Sequence, residues 1–196
     1  MAIEFNFQKI EKKHLIDVAK IHFEELNTGI LCLFGKSFLN KYYNQMTKRN
    51  GWGYVVTRKD KVVGYIYSES TEFNKITLIE LPHIMIFVKN LFFKPKMIVN
   101  ILFSIVVSKF YETTKTTERV SIISQFAISK VFQSQGYGKE LIKLFEEEAL
   151  RRGCNYVTTS THNFDLRNFY ISTRNIKKEV VIPNIGYKNY IISWKL

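Results

Sequence analysis

The stretch from Val120 to Gly153 narrows the fold more than any other. It opens with a β-branched run, Val120 to Ile128, that is apolar on both faces and so reads as a central strand covered on each side. A short polar loop follows, Gln133-Ser-Gln-Gly136-Tyr-Gly138-Lys139. The chain then enters an amphipathic stretch, 136–152, with Leu141, Ile142, Leu144, Phe145 and Leu150 on its apolar face, and Gly153 stands where a left-handed C-terminal cap is expected. A buried strand feeding a helix through a glycine-containing loop belongs to a layered α/β architecture.

The rest of the chain extends the same alternation. Residues 3–10 alternate as a strand, 11–26 and 36–49 have helical spacing, and 52–58 and 62–68 form a hairpin around Lys59-Asp60-Lys61. After the loop and helix come a strand at 155–161, a short helix at 164–173, and strands at 177–182 and 187–195. The order is βααββ, an apolar insert, then βαβαββ, in one domain over residues 1–196. The insert, residues 74–117, predicts a pair of core-packing helices broken at Lys94-Pro95. Lys89, Lys94, Pro95, Lys96 and Asn100 interrupt it, so a membrane span is not expected, although a peripheral membrane or partner surface is compatible with it.

Twenty-nine Lys and Arg against seventeen Asp and Glu give a net charge of +12, which favours an anionic partner. Nucleic acid, anionic lipid and a phosphorylated cofactor all qualify, but no RNP-like or helix-turn-helix pattern supports nucleic acid. Cys32 and Cys154 have no metal-ligand spacing, which suggests neither a zinc site nor a disulfide framework and fits a reducing cytosol. No secretory leader pattern is visible at the N-terminus.

The loop carries the chemistry. Amides at the start of a helix lack intrahelical partners and sit at the positive end of its dipole, so they bind phosphate oxygens. Gly136 and Gly138 allow an anion close to the main chain, and Lys139 adds a mobile charge. The loop is not a dinucleotide fingerprint, because Leu141 stands at the third glycine position, and it does not match the P-loop pattern.

Gln133-Ser-Gln-Gly136-Tyr-Gly138 resembles the [Q/R]xxGxG/A hallmark of the GNAT superfamily of acyl-CoA-dependent N-acyltransferases. Downstream, Asn163-Phe-Asp-Leu-Arg-Asn-Phe169-Tyr170 is similar to that family's Asn-x5-[Phe/Leu]-Tyr helix. The resemblance covers most of the chain and implies a mixed, mostly antiparallel sheet flanked by helices, with the helical insert before the fourth strand. It also implies acetyl-CoA as cosubstrate and a small primary amine as acceptor, and a homodimer is compatible with it. By the same resemblance, the main chain of Phe126, Ala127 and Ile128 would pair with the pantetheine arm. Amides of Gln133, Ser134, Gln135, Gly136, Tyr137, Gly138 and Lys139 would hold the diphosphate, Asn163 would touch the cofactor, and Tyr170 would protonate the departing thiolate. A phenol near its usual pKa of about 10 is suited to that transfer.

Two positions depart from the family pattern: Lys130 replaces a proline, and Asn175-Ile176 replaces a closing Gly-Phe. The fourth strand also lacks the acid the family often uses as base, which leaves Glu24, Glu25, His83 and His162 as candidates, with Glu25 carried forward as a catalytic residue. His22 reads as a packed helix residue rather than a base. The segments from His22 to Leu26 and Leu33 to Tyr43, with the insert, resemble bacterial members associated with surface-polysaccharide synthesis, which implies an amino-sugar acceptor, free or nucleotide-linked. The other outcomes are a peptide or polyamine amine, and a non-catalytic module of the same fold that binds anions or a membrane surface. The location expected is cytoplasmic or membrane-peripheral.

Overall fold

A computed structural model describes residues 5–27, 29–46, 51–68, 79–93, 119–184 and 187–196. The chain makes two compact units, Met1–Asn90 with Ser124–Phe145, and Leu91–Ile123 with Glu146–Leu196.

In the first unit an antiparallel sheet has the order β1-β2-β3-β5, with β1 Phe5–Lys9, β2 Trp52–Arg58, β3 Lys61–Ser68 and β5 Gln125–Ile128. The β2–β3 hairpin closes through only two residues, Lys59 and Asp60, with φ of 49° and 62°. Positive φ at both central positions matches the right-handed strand twist, so β3 starts at Lys61 rather than one residue later. Helices α1, Leu15–Glu25, and α2, Lys36–Met46, bury Leu15, Val18, Ala19, Phe38, Leu39, Tyr42 and Tyr43 in a core shared with Val55, Tyr65, Tyr67 and Ala127. The helix expected from residue 11 begins instead with a 3-10 turn, Lys12–His14, in which Glu11 N–H donates to His14 Nδ1 at 3.0 Å. His22 is a packed core residue whose Nδ1 lies 2.7 Å from the Tyr43 hydroxyl, and that hydroxyl lies 3.0 Å from the one on Tyr65.

Helix α3, Leu81–Phe92, is the described part of the insert. His83 meets the Phe38 ring edge to face, Phe87 stacks on Phe34 at 4.6 Å, and Asn90 Nδ2 donates to Leu33 O at 2.9 Å. Leu81, Met85, Val88 and Phe92 lie exposed, so one side of this helix is not packed into a core as its composition suggests. The expected break at Lys94-Pro95 and the second helix lie outside the described residues.

In the second unit the sheet order is β4-β6-β8-β7, with β4 Val120–Ile123, β6 Tyr156–Thr161, β8 Tyr187–Lys195 and β7 Ile176–Asn184. Only β4–β6 is parallel among the described ladders. Helix α4, Tyr137–Arg151, ends as expected: Gly153 has φ 77°, and Cys154 N–H reaches back to Ala149 O at 3.0 Å. Leu150 is exposed, contrary to its expected inward place, and Glu148 is buried instead, paired with Arg151 and Arg152. Helix α5, Phe164–Thr173, packs against β6 and β8.

The run 120–128, expected as one strand, is two. Val120–Ile123 pairs with β6, and Gln125–Ile128 pairs with β3. Gln125 is the ladder partner of Tyr67, yet Ser124 N–H also donates to Tyr67 O at 2.9 Å. Two residues facing one is a β-bulge, and it ends one pairing before the next begins. The architecture is mixed α/β with largely antiparallel sheets flanked by helices, as the sequence implies, but with two sheets in place of one.

Candidate active site

Strand β5 is the edge of its sheet. Ser129 N–H donates to Val63 O at 2.8 Å. The alternation of an antiparallel ladder therefore turns the main-chain groups of Ala127 toward β3 and those of Phe126 and Ile128 toward the edge. Of the three residues expected to pair with a pantetheine arm, only Phe126 and Ile128 present polar groups on that side. Ile128 O is already taken, because Gln133 Nε2 donates to it at 2.8 Å. Gln133 thus straps the loop to the end of the strand.

After β5 the chain makes a 3-10 turn, Lys130–Phe132, and Gln133 N–H donates to Lys130 O at 3.3 Å. At the far end of the loop, Lys139 N–H donates to Gly136 O at 3.0 Å. Those two amides are committed internally, which removes Gln133 and Lys139 from the expected main-chain donors. Among the described residues no hydrogen bond takes the amides of Gly136, Tyr137 or Gly138, the three that open α4. Gln133 to Gly136 are exposed, so solvent, and hence an anion, reaches the loop.

The two glycines serve different ends. Gly136 has φ 87°, and a Cβ there would meet nothing within 4 Å, so its need is dihedral. A Cβ on Gly138 would come within 3.1 Å of Phe126 Cζ, so this glycine lets the helix start lie against the edge strand. Ser134, without a glycine's freedom, also takes positive φ, at 61°. Phe5 stacks on Tyr137 with centroids 4.2 Å apart and meets Phe132 edge to face, which fastens β1 to the loop. This aromatic contact has no sequence signal, because it joins residues far apart in the chain.

Glu25 ends α1, and its Oε1 accepts from Lys130 N–H at 2.8 Å. The carboxylate expected as a catalytic candidate is thereby engaged as an anchor for the turn after β5. Glu24 is exposed, and His83 Nδ1 accepts from Glu80 N–H at 3.1 Å.

The second unit holds the other motif. Asn163 caps α5: its Oδ1 accepts from Leu166 N–H at 2.9 Å, leaving the amide NH2 as the side-chain group open to a ligand. His162, exposed at the end of β6, lies edge-on to Tyr187. Tyr170 is fully buried, stacked on Trp194 with centroids 5.1 Å apart. Its hydroxyl oxygen makes no hydrogen bond of good geometry. Burial pushes the phenol well above its ordinary range, an effect that the nearby Thr159 hydroxyl and Arg174 offset in part. A brace invisible in the sequence supports this ring: Glu146 Oε1 accepts from Arg174 Nε at 2.5 Å and from Trp194 Nε1 at 2.8 Å.

A buried hydroxyl without a partner costs stability. Open helix-start amides on an exposed loop fit a diphosphate. That agrees with an acyl-CoA ligand whose diphosphate the loop residues present would hold. Fold and loop define the class, an acetyltransferase with acetyl-CoA as acyl donor. The chain belongs to the Acetyltransferase (GNAT) family, whose model matches residues 22–172.

No curated protein matches the sequence. Among solved structures, a proposed GNAT-family acetyltransferase from Desulfovibrio desulfuricans is 14% identical, with 99% of each chain covered and a TM-score of 0.58. The proposed acetyltransferase yncA from Salmonella typhimurium, solved with acetyl-CoA, is 9% identical, covering 98% of this chain and 94% of that one, with a TM-score of 0.59. The ribosomal-protein-S18-alanine N-acetyltransferase of Escherichia coli is 11% identical over 98% of this chain and 94% of its own, with a TM-score of 0.54. At such identities the likeness is one of fold.

Proposed function

We propose that residues 1–196 act as one N-acetyltransferase, with 74–117 as an insert, that moves an acetyl group from acetyl-CoA to a primary amine by direct attack. The observation that carries this reading is the exposed start of α4, where the amides of Gly136, Tyr137 and Gly138 are open and Gln133 ties their loop to the edge of β5. Those amides, helped by the helix dipole and by the Lys139 charge, receive the diphosphate. Phe126 N–H and O and Ile128 N–H, facing the strand edge, receive the amides of the pantetheine arm. The Asn163 NH2 group adds a cofactor contact.

In the transfer the acceptor nitrogen forms a bond to the thioester carbon while the C–S bond breaks. Tyr170 gives its proton to the departing sulfur, and burial, which raises the phenol above the value of about 10 that suits this transfer, makes it a weaker acid than the sequence implies. The ammonium of the acceptor must lose a proton before it attacks. Glu25 is poorly placed for that step, because Lys130 lies four residues beyond Phe126, roughly 13 Å along extended chain, toward the diphosphate end. We assign Glu25 to holding the turn and keep His162, beside Asn163, as the base candidate.

For the acceptor we propose an amino sugar, free or nucleotide-linked. The net charge of +12 suits a phosphorylated acceptor, and the segments from His22 to Leu26 and Leu33 to Tyr43 resemble polysaccharide-associated members of the family. Calorimetry with acetyl-CoA tests the donor, and thiol release over a panel of amino sugars, peptides and polyamines tests the acceptor. Turnover of peptides or polyamines alone discards the amino sugar, and absence of CoA binding discards the transferase.

A second reading rests on α3. Its exposed Leu81, Met85, Val88 and Phe92, with Lys89 beside them, suit peripheral contact with an anionic bilayer. None of the described helices is long and apolar enough to cross a membrane. Salt-sensitive co-sedimentation with phosphatidylglycerol vesicles supports this contact, and equal binding to neutral vesicles excludes it.

A further inference from the structure

Arg58 closes β2, paired with Phe5 on β1 and Lys61 on β3. Its guanidinium carbon lies 5.7 Å from the centre of the Phe5 ring and 5.4 Å from that of Phe132. Phe132 ends the 3-10 turn that leads into the loop, and Phe5 stacks on Tyr137, the first residue of α4. The cation is therefore set into the aromatic cluster that fastens the loop. Its Nε is buried and has no hydrogen-bond partner. Among the described residues no carboxylate pairs with the Arg58 side chain, which rests against the two rings.

This is an unusual state for arginine. A buried N–H without an acceptor costs free energy. Contacts with the two rings engage the delocalised cation but accept no hydrogen bond from its N–H donors, which lie in the guanidinium plane. What suits those donors is a planar or tetrahedral oxyanion, and phosphate is the group whose geometry arginine matches with two parallel bonds. The hairpin turn adds Lys59 and Lys61 and the loop adds Lys130 and Lys139, against Asp60 in the same turn, Glu25 bonded to Lys130 N–H and Glu140 in the first turn of α4, so with Arg58 five cations face three carboxylates and the local balance is still positive.

We propose that Arg58 is a phosphate-reading residue for the nucleotide end of CoA, receiving a phosphate group next to the amides at the start of α4. This rests on the CoA-binding reading of the loop. It adds a charged donor from the β2–β3 hairpin, a part of the chain that neither motif includes. The chemistry required is one phosphate oxyanion, which either the 3′-phosphate of the ribose or the diphosphate can supply.

The test measures binding of CoA, 3′-dephospho-CoA and pantetheine to the full chain and to Arg58→Gln and Arg58→Lys. A hydrogen-bonded charge contact is worth about 1.5–3 kcal/mol, so Arg58→Gln weakens CoA binding by roughly 10- to 150-fold and leaves pantetheine unchanged. Arg58→Lys, which keeps the charge and loses the fork, falls between. A loss confined to CoA assigns the 3′-phosphate, and a loss shared with 3′-dephospho-CoA assigns the diphosphate. The proposal is overturned if Arg58→Gln binds CoA within twofold of the unaltered chain. It is equally overturned if CoA and pantetheine weaken alike, because Arg58 would then act only by holding β1 against the loop. Failure of the unaltered chain to bind CoA at all removes the transferase reading and this inference together, an outcome distinct from the other two.

Discussion

Replacing Glu146 by alanine tests whether Tyr170, the proposed general acid, is held by the brace beneath it. Its Oε1 accepts from both Arg174 Nε and Trp194 Nε1. The side chains of Arg174 and Glu146 are 14% and 18% exposed, so solvent screens this ion pair far less than a surface one. Breaking one side of a buried pair costs about 3–5 kcal/mol, because the remaining charge is left without a counterpart. The slight exposure puts the expected value near the lower end, about 3 kcal/mol. With a urea slope of about 2 kcal/mol per molar, the unfolding midpoint falls by roughly 1.5 M. Glu146→Gln keeps an acceptor oxygen but no charge, and its loss is smaller, about 1–2 kcal/mol.

Trp194 loses its indole partner in the alanine variant, and the ring stacked on it, Tyr170, loses its fixed seat. Turnover therefore drops in conditions where the protein remains folded, while CoA affinity, which depends on the loop, stays within a few-fold. Urea titration read by tryptophan fluorescence, alongside a thiol-release assay, follows both effects. The reasoning is refuted if Glu146→Ala unfolds within 0.3 M of the unaltered chain, roughly 0.6 kcal/mol at that slope, or if turnover is unaltered once the folded fraction is taken into account.

Four further outcomes are expected. Tyr170→Phe lowers turnover by roughly 10²- to 10⁴-fold with CoA affinity nearly intact. Because the hydroxyl it removes has no partner, the variant is as stable as the parent or up to about 1 kcal/mol more stable in urea. Gly136→Ala forces a left-handed dihedral on alanine at a cost of about 1–2 kcal/mol and weakens CoA binding, measured by calorimetry. Gly138→Ala adds a methyl group 3.1 Å from the Phe126 ring and weakens CoA more than it destabilises the fold. Finally, burial raises the phenols of Tyr43, Tyr65 and Tyr170. Above pH about 10 the unfolded state ionises these phenols and the folded state does not, so stability falls as pH rises. Absorbance near 295 nm then shows part of the tyrosine signal appearing only with the loss of circular dichroism.

Local patterns gave away the elements whose signals are local. The β2–β3 hairpin, the helix from Tyr137 and its glycine stop at Gly153 are each specified by neighbouring residues. The division at Ser124 is not, because nothing distinguishes that serine from Ser121; the choice depends on hydrogen-bond partners in distant strands. For the same reason the sequence named Gln133 but not what its side chain does, since Ile128 O becomes its partner only once the turn has formed. Glu25 was legible as an acid near the right segment, yet Lys130 N–H, 105 positions away, decides its role. Arg58 left no trace at all, because an arginine ending a strand is ordinary until two aromatic rings arrive from elsewhere.

The bulge at Ser124 makes chain length there a fixed quantity. Ile123 is bound to one ladder and Gln125 to another, with a single residue to bridge them. Deleting it would slide Gln125 into the bridging place and reverse which side of the strand each following residue faces. The Phe126 ring, which lies against Gly138, would then turn away from it, and Ala127 would take its place without the bulk to fill it. Natural variation in length should thus be scarce at this point and freer at the Lys59-Asp60 tip, where an added residue only lengthens a turn.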